Sequence, residues 1–203
     1  MAVAEPKADV PGITRPMTYE EYISGPEEMA RYDILDGWKV YRLYGDNLVP
    51  SPTRRHQRIL GRLLRRLQDY EAQTGRGEAI AAPCDVEITY QPLKCRQPDL
   101  LFISRERLEQ NAPSDEYDPL APAPELIVEI VSAADTASLL TAKISDYQSV
   151  QVQEVWLVRP DAQTVEVLTL ADGGGSRVFT TGMTATSAVF DGLTTDIDAI
   201  FQE

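Results

Sequence analysis

The sequence predicts an α/β fold, in which helices flank a central mixed β-sheet that additional β-strands extend. Three observations predict this class: amphipathic helical patterns near residues 53–74 and 135–149, a nearly continuous apolar run at 124–132, and several strand-like segments after residue 153. Because helical and strand-like segments are interspersed along the chain, helices are expected to pack on the faces of a mixed sheet.

The length of the chain bounds its organisation. Its 203 residues, of which 43% are hydrophobic, suit one domain with a substantial core. Residues 17–203 are expected to form this single domain, and residues 1–16 a flexible leader. No stretch has the apolar length of a membrane span, and the N-terminus lacks the apolar core of a signal peptide. These features predict a cytoplasmic protein with no membrane partner.

The sequence of the first part of the domain predicts a short helix and two short strands, followed by a long helix. Thr18 and Glu21 fit a capping box that begins a short helix. Two short strands are expected around a turn at Asp36-Gly37. The long helix is expected over about residues 53–74 and ends at Gly75, because glycine readily adopts the left-handed conformation that closes helices.

The sequence of the rest of the domain predicts mainly strands, with three shorter helices. In chain order these are strands at 77–90 (interrupted by Pro83) and 97–104, a helix at 104–111, a proline-rich loop at 113–124, a strand at 125–132, a helix at 135–149, strands at 153–160, 163–170, 176–183 and 186–190, and a helix at 196–201. The apolar run at 125–132 predicts a strand covered on both faces.

The long helix has an arginine face opposite an apolar face. Six arginines fall within about 120° of arc on a helical wheel, opposite its leucine and isoleucine residues. These are Arg54, Arg55, Arg58, Arg62, Arg65 and Arg66. An ordinary solvated face explains this pattern, and phosphate contact through the planar guanidinium groups also explains it. His56, the only histidine, either contacts a phosphate or caps the helix.

The charge of the chain limits the part of its surface that could bind a nucleic acid. A formal net charge of −13 argues against binding over the whole surface, since phosphate contact is driven by lysine and arginine. The distribution of charge matters more than its total, and the arginines cluster within residues 54–66. The candidate nucleic-acid contacts are therefore Arg55, His56, Arg58 and Arg62.

Two acids interrupt apolar segments. Asp99 begins one predicted strand and Glu129 lies inside the next. If these strands pair, their carboxylates converge, and two hard oxygen donors suit a divalent cation. Lys143 lies about 60° from the middle of the apolar face of its helix, so it either lies along apolar surface or reaches the two acids to assist a water molecule. A purely structural role is the other interpretation, with Arg96 and Arg159 as salt-bridge partners.

These segments together resemble the Uma-type endonucleases of the PD-(D/E)XK, or restriction-endonuclease-like, superfamily. The resemblance covers about residues 17–203 and rests on "MTYEEY", "RYDILDGWKV", "SPTRRHQRILGRLLRRL", "QPDLLFIS", "PELIVEIVS", the Lys143–Tyr147 pair, "EVWLVRPDAQTVEV" and "GLTTDIDAIF". It implies a restriction-endonuclease-like fold and a hydrolase that cuts phosphodiester bonds, with DNA as the expected nucleic acid and Mg²⁺ or Mn²⁺ as cofactor.

The resemblance also implies roles for particular residues. Asp99 and Glu129 would be the metal ligands and Lys143 the catalytic lysine, displaced onto the following helix because position 131 is Val131. Asp33 would complete the acidic set. The resemblance implies that Gln97 is an accessory polar group near the metal.

Two further expectations concern activity and assembly. The alternative to an active nuclease is a nuclease-like fold that binds nucleic acid or a protein partner without cutting. A homodimer is expected for the nuclease, because cutting both strands of a duplex needs two sites related by a two-fold axis.

Overall fold

A computed structural model gives the fold. The structure describes residues 15–25, 32–41, 43–44, 47–48, 52–111, 118–132, 135–171 and 174–202. Most of the predicted leader and part of the predicted proline-rich loop lie outside these residues. Among the described residues, no helix has both the length and the apolar character needed to cross a bilayer.

Five helices and fourteen strands make up the described part of the chain. The helices are α1 (Tyr19–Ile23), α2 (Arg54–Thr74), α3 (Arg105–Asn111), α4 (Ala137–Ser149) and α5 (Ile197–Phe201). The strands are β1 (Tyr32–Leu35), β2 (Trp38–Tyr41), β3 (Leu43–Tyr44), β4 (Asn47–Leu48), β5 (Gly77–Ala81), β6 (Val86–Thr89), β7 (Lys94–Arg96), β8 (Leu100–Ser104), β9 (Leu126–Ile130), β10 (Glu154–Arg159), β11 (Thr164–Thr169), β12 (Ser176–Phe179), β13 (Thr184–Thr186) and β14 (Thr194–Asp196).

A six-stranded mixed sheet forms the centre of the molecule. Its strand order is β12-β11-β10-β9-β8-β5. Only the β9–β10 pair within it is parallel, and its other pairs are antiparallel. A separate four-stranded antiparallel sheet has the order β2-β1-β7-β6. The predicted α/β class with a central mixed sheet and additional strands is confirmed.

Helix α2 covers one face of the central sheet. Thr53 caps its N-terminus by accepting a hydrogen bond from the His56 N–H, and Gly75 closes its C-terminus with a φ of 63°. Its apolar stripe, including Ile59, Leu63 and Leu67, packs with Val128 and other side chains on that face of the sheet. The burial of this stripe holds α2 in place and leaves its arginine face outward.

Helix α4 lies on the opposite face of the sheet. Ile127 of β9 packs there with Leu140 and Tyr147 of α4, whereas Val128 packs on the α2 side. Because side chains alternate along a strand, Glu129 shares the α4 face with Ile127. The continuous apolar character of β9 thus reflects helices on both faces.

Two differences from the sequence-based expectations concern short strands. The strand predicted at 186–190 is wrong: residues 187–190 form an irregular connection between β13 and β14. Phe190 and Leu193 of this region are buried in the core beneath α2, so the apolar residues do not alternate as a strand would require. Strand β7 was not predicted, because its short sequence Lys-Cys-Arg has no periodic pattern and its pairing with β1 is long-range.

Candidate active site

The two predicted acids lie at the same end of two neighbouring strands. Strands β8 and β9 pair antiparallel with Leu100 opposite Val128. Asp99 directly precedes Leu100, and Glu129 directly follows Val128. Both acids are buried, with exposures of 0% and 3%. Asp99 Oδ2 accepts a 2.7 Å hydrogen bond from the N–H of Ile130, so its carboxylate is fixed to the neighbouring strand.

Two side chains of α4 hold the Glu129 carboxylate. Lys143 Nζ donates to both carboxylate oxygens at 3.0 Å, and the Tyr147 hydroxyl donates to Oε1 at 2.6 Å. Lys143 and Tyr147 are one helical turn apart, which places them on the same face of α4. Burial, together with the negative charge of Glu129, holds the pKa of Tyr147 well above its ordinary value, so this hydroxyl remains a donor at neutral pH.

Helix α2 provides the group beside Asp99. His56 Nε2 lies 3.3 Å from Asp99 Oδ1, and the imidazole is buried. The other ring nitrogen, Nδ1, is also buried and makes no hydrogen bond with any described residue. The structure therefore brings His56 to the acids and turns it away from the exposed arginine face with which the sequence grouped it.

A buried arginine connects Asp33 to α4. Arg96 of β7 donates to Asp33 Oδ2 at 2.8 Å and to Asp146 of α4 at 2.8 Å, while the Gln97 N–H donates to Asp33 Oδ1 at 3.1 Å. Although burial opposes its charge, the carboxylates of Asp33 and Asp146 raise the pKa of Arg96 above its ordinary value. These bonds join the four-stranded sheet to the helix that carries Lys143.

The Gln97 side chain joins this network to a further acid. Its Oε1 accepts a hydrogen bond from the Tyr32 N–H at 3.3 Å. The Gln97 side chain also hydrogen-bonds Asp85, whose pKa is nevertheless raised to about 6 because burial disfavours its charged form. Asp85 Oδ1 is buried and has no hydrogen-bond partner among the described residues. No periodic pattern or motif in the sequence marks Asp85 as part of this network.

The arginines of α2 fall into two groups. Arg55 pairs with Asp161 at 3.0 Å, Arg62 donates to the carbonyl of Ile200 at 2.9 Å, and Arg66 donates to Thr194. A second group makes no hydrogen bond or ion pair with any described residue. Its members are Arg54, Arg58 and Arg65, and all three are exposed.

Sequence reasoning overlooked the roles of several neighbours of the acids. Tyr147 follows Lys143 by one helical turn, a spacing that could have marked it as a second donor. Arg96, a candidate salt-bridge partner for Asp99 or Glu129, instead pairs with Asp33 and Asp146. Arg159, the other such candidate, lies 3.4 Å from Glu166.

The donor chemistry fits a hard divalent cation with few protein ligands. Among the described residues, no group of three His, Cys, Asp or Glu side chains is arranged to hold an ion. Magnesium, however, commonly binds through one or two carboxylates and completes its coordination with water and substrate phosphate oxygens. Asp99 and Glu129 provide such a pair of carboxylates on neighbouring strands.

Comparison with known proteins agrees with this architecture. A family model described as "Uma2: Putative restriction endonuclease" matches residues 26–198. The crystal structure of "a putative nuclease belonging to DUF820" from Anabaena variabilis ATCC 29413 is similar, with a TM-score of 0.69 and 20% sequence identity, covering 92% of this chain and 98% of that chain. At this identity the similarity shows a shared fold. No curated protein matches the sequence.

Proposed function

Because the chain belongs to the Uma2 family of putative restriction endonucleases, we propose that it is a metal-dependent endonuclease that hydrolyses phosphodiester bonds in DNA. The observation that carries this proposal is the position of the Lys143 ammonium of α4, which lies 3.0 Å from the carboxylate of Glu129, a residue of the strand that pairs with β8 directly after Asp99. Phosphodiester hydrolysis uses carboxylates that hold a metal ion and an ammonium that orients water or stabilises negative charge, and a site with a lysine and two acids supplies both.

Each group of the site has a distinct part in the proposed reaction. Asp99 and Glu129 would hold Mg²⁺ or Mn²⁺, which when bound would stabilise the charge that develops on the phosphate. Lys143 offsets the buried charge of Glu129 in the free protein, and its ammonium can also donate to a phosphate oxygen or orient the attacking water.

Asp33 and Gln97 would act farther from the reacting phosphate. Both oxygens of the Asp33 carboxylate accept hydrogen bonds, from Arg96 and from the backbone of Gln97. Asp33 would therefore contact the ion through water, while its bonds to Arg96 and to the backbone of Gln97 hold the end of β7 against β1.

The exposed arginines of α2 would contact the phosphates of the substrate. Arg58 is the strongest candidate of the four predicted contacts, since it is exposed and has no partner among the described residues. Arg62 would contribute a fixed positive charge, because its partner is a neutral carbonyl. Arg55 would have to leave Asp161 to bind phosphate. His56 is buried beside Asp99 and is less suited to this contact.

The central test is plasmid cleavage by isosteric variants. Purified protein should cleave supercoiled DNA with Mg²⁺ or Mn²⁺, and both Asp99→Asn and Lys143→Met should lower the cleavage rate by about 100-fold or more, because each removes a charge that the reaction uses. Gel assays with equal amounts of folded protein would measure this. Glu106→Gln, on the exposed side of α3, serves as the matched control and should cut normally.

A nuclease-like protein that binds nucleic acid or a protein partner without cutting is the second candidate. The existing internal partners of the acids favour it, since Lys143 already neutralises Glu129 and Arg96 already neutralises Asp33. Calorimetric titration with Mn²⁺ separates the two. Duplex binding without any detectable metal binding would support the non-catalytic protein, and metal binding lost in Asp99→Asn would support the nuclease.

A further inference from the structure

We propose that a groove along α2 binds the sugar-phosphate backbone of double-stranded DNA to one side of the candidate active site, without reading the bases. The inference deepens the proposed function and rests on it, because it assigns the substrate class and the surface that holds it. This basic groove lies between α2 and the segment that contains β13, β14 and α5. Its charged lining residues are Arg58, Arg62, Arg65, Arg66, Asp69 and Asp196.

The shape of the basic groove suits an extended ligand. It is an open depression of about 800 Å³, larger than a neighbouring pocket of about 290 Å³ that Arg58 also lines. His56, which contacts Asp99, precedes Arg58 by two positions on α2. From His56 to Arg66 the helix rises about 15 Å, which corresponds to roughly four base pairs of duplex. The basic groove therefore runs along the helix whose first turn carries the histidine that contacts Asp99.

The charge of the basic groove favours an anionic ligand in an otherwise acidic protein. Four arginines line it against two aspartates. Arg62 and Arg66 donate to the neutral carbonyl oxygens of Ile200 and Thr194, so these bonds orient their guanidinium groups without cancelling the charge. Such preorganised cations lose less conformational entropy when they bind a phosphate.

Two arginines in the basic groove are available for direct contact. Arg58 and Arg65 are exposed and make no hydrogen bond or ion pair with any described residue. Thr184, Thr194 and Thr195 are also among the lining residues of the basic groove, and threonine hydroxyls commonly donate to phosphate oxygens. The cations and hydroxyls are therefore of the kinds that bind phosphate.

The lining of the basic groove favours duplex over single-stranded DNA. Proteins that bind single strands without sequence preference stack the bases on aromatic side chains. None of the described residues that line the basic groove is aromatic. A groove with cations and hydroxyls but no stacking surface recognises the backbone of a duplex, and such contacts position DNA without specifying sequence.

The test measures the salt dependence of duplex binding in EDTA, where metal-dependent cleavage does not occur. The full chain is titrated into fluorescent 30-bp duplexes of several unrelated sequences at several NaCl concentrations. Arg58→Ala and Arg65→Ala should each weaken binding several-fold at low salt and flatten the log–log salt slope by about 1, because each removes roughly one phosphate contact. In the double variant the log–log salt slope should be flatter by about 2, and the change should be the same for all DNA sequences.

Controls separate this inference from the proposed chemistry. Arg105→Ala changes an exposed arginine on α3 and should bind like wild type, and unchanged melting temperatures would verify folding of each variant. Wild-type slopes in Arg58→Ala and Arg65→Ala, or tighter binding of single strands than of duplexes, would overturn the basic groove as the duplex site. Groove-dependent binding by a protein that never cuts DNA would instead overturn the proposed nuclease activity and leave the groove assignment standing.

Discussion

At the scale of single residues, the buried carboxylates of Glu129 and Asp99 each accept hydrogen bonds from specific donors. Glu129 accepts from Lys143 and Tyr147, and Asp99 accepts from the backbone of Ile130. These bonds offset the free-energy cost of removing charged groups from water, which is several kcal/mol for an unpaired ion. Asp85 differs, because one of its oxygens is buried with no partner among the described residues.

Asp85 should make the stability of the protein fall as the pH rises. Burial raises its folded-state pKa from 3.8 to about 6, so between these values the folded protein keeps a proton that the unfolded chain has released. The contribution of protonated Asp85 to the free energy of unfolding is therefore fully present below pH 4 and is lost as the pH rises through 6. Asp85→Asn should raise the free energy of unfolding at pH 7.5 by on the order of 1 kcal/mol, with little effect at pH 4.

Urea unfolding at several pH values would measure this effect. Asp69→Asn removes an exposed carboxylate from α2 and should change stability little at any of these pH values. A stability difference between wild type and Asp85→Asn that stayed constant from pH 4 to pH 7.5 would contradict the assignment.

At the scale of secondary structure, α4 is the element that organises the site. It presents Lys143 and Tyr147 to Glu129, and it presents Asp146 to Arg96 of the four-stranded sheet. One helix therefore fixes the candidate ligand and anchors the neighbouring sheet. Its placement depends on Leu140 and Tyr147, which are buried against the central sheet.

Tyr147→Phe tests the contribution of α4 to the site. The variant keeps the ring volume but leaves Glu129 Oε1 without its 2.6 Å donor, so the free energy of unfolding should fall by about 1.5–3 kcal/mol and cleavage by about 10-fold or more. Chemical denaturation and plasmid cleavage would measure both. Tyr70→Phe is the matched control, since the Tyr70 hydroxyl donates to the neutral carbonyl of Asp191. It should cost less stability and leave cleavage unchanged, and equal activity losses would argue against a special role for Tyr147.

Helices and strands with strong periodicity were predictable from the sequence, whereas side-chain partners were not. The opposed arginine and leucine faces of residues 53–74 predicted the helix α2. The apolar face of α4 correctly indicated that Lys143 points toward the sheet. The pairing of β8 with β9 was a condition of the predicted acid site, and the structure shows that these strands pair. The contact between His56 and Asp99 could not be predicted, because it joins segments far apart in sequence through the mutual packing of α2 and the sheet.

At the scale of the whole molecule, charge is segregated. The chain carries a net charge of −13, yet four arginines lie together along the basic groove. This separation would attract DNA to one side and repel it elsewhere, which orients the encounter before any specific contact forms. Raising the ionic strength should weaken that orientation, because mobile ions screen exposed charges.

Assembly is the remaining prediction at this scale. The side chain of Val178, on the edge strand β12, is 57% exposed and offers an apolar contact for a second chain. A homodimer would place two candidate sites across one duplex. Light scattering should therefore give twice the 22.6 kDa mass of one chain, and plasmid should be linearised without prolonged accumulation of nicked circles. A monomeric mass together with nicked circles as the only product would contradict this expectation.

The pairing of Leu100 with Val128 has a consequence for how related chains can diverge. A slip of one position between these strands would send Glu129 to the side of α2 and present Val128 to the ammonium of Lys143, since neighbouring side chains point to opposite faces. Hydrogen bonds between the strands hold this alignment. Insertions and deletions in related chains should therefore fall outside residues 99–102 and 126–130, since a change of length within either stretch would move one acid to the other face of the sheet.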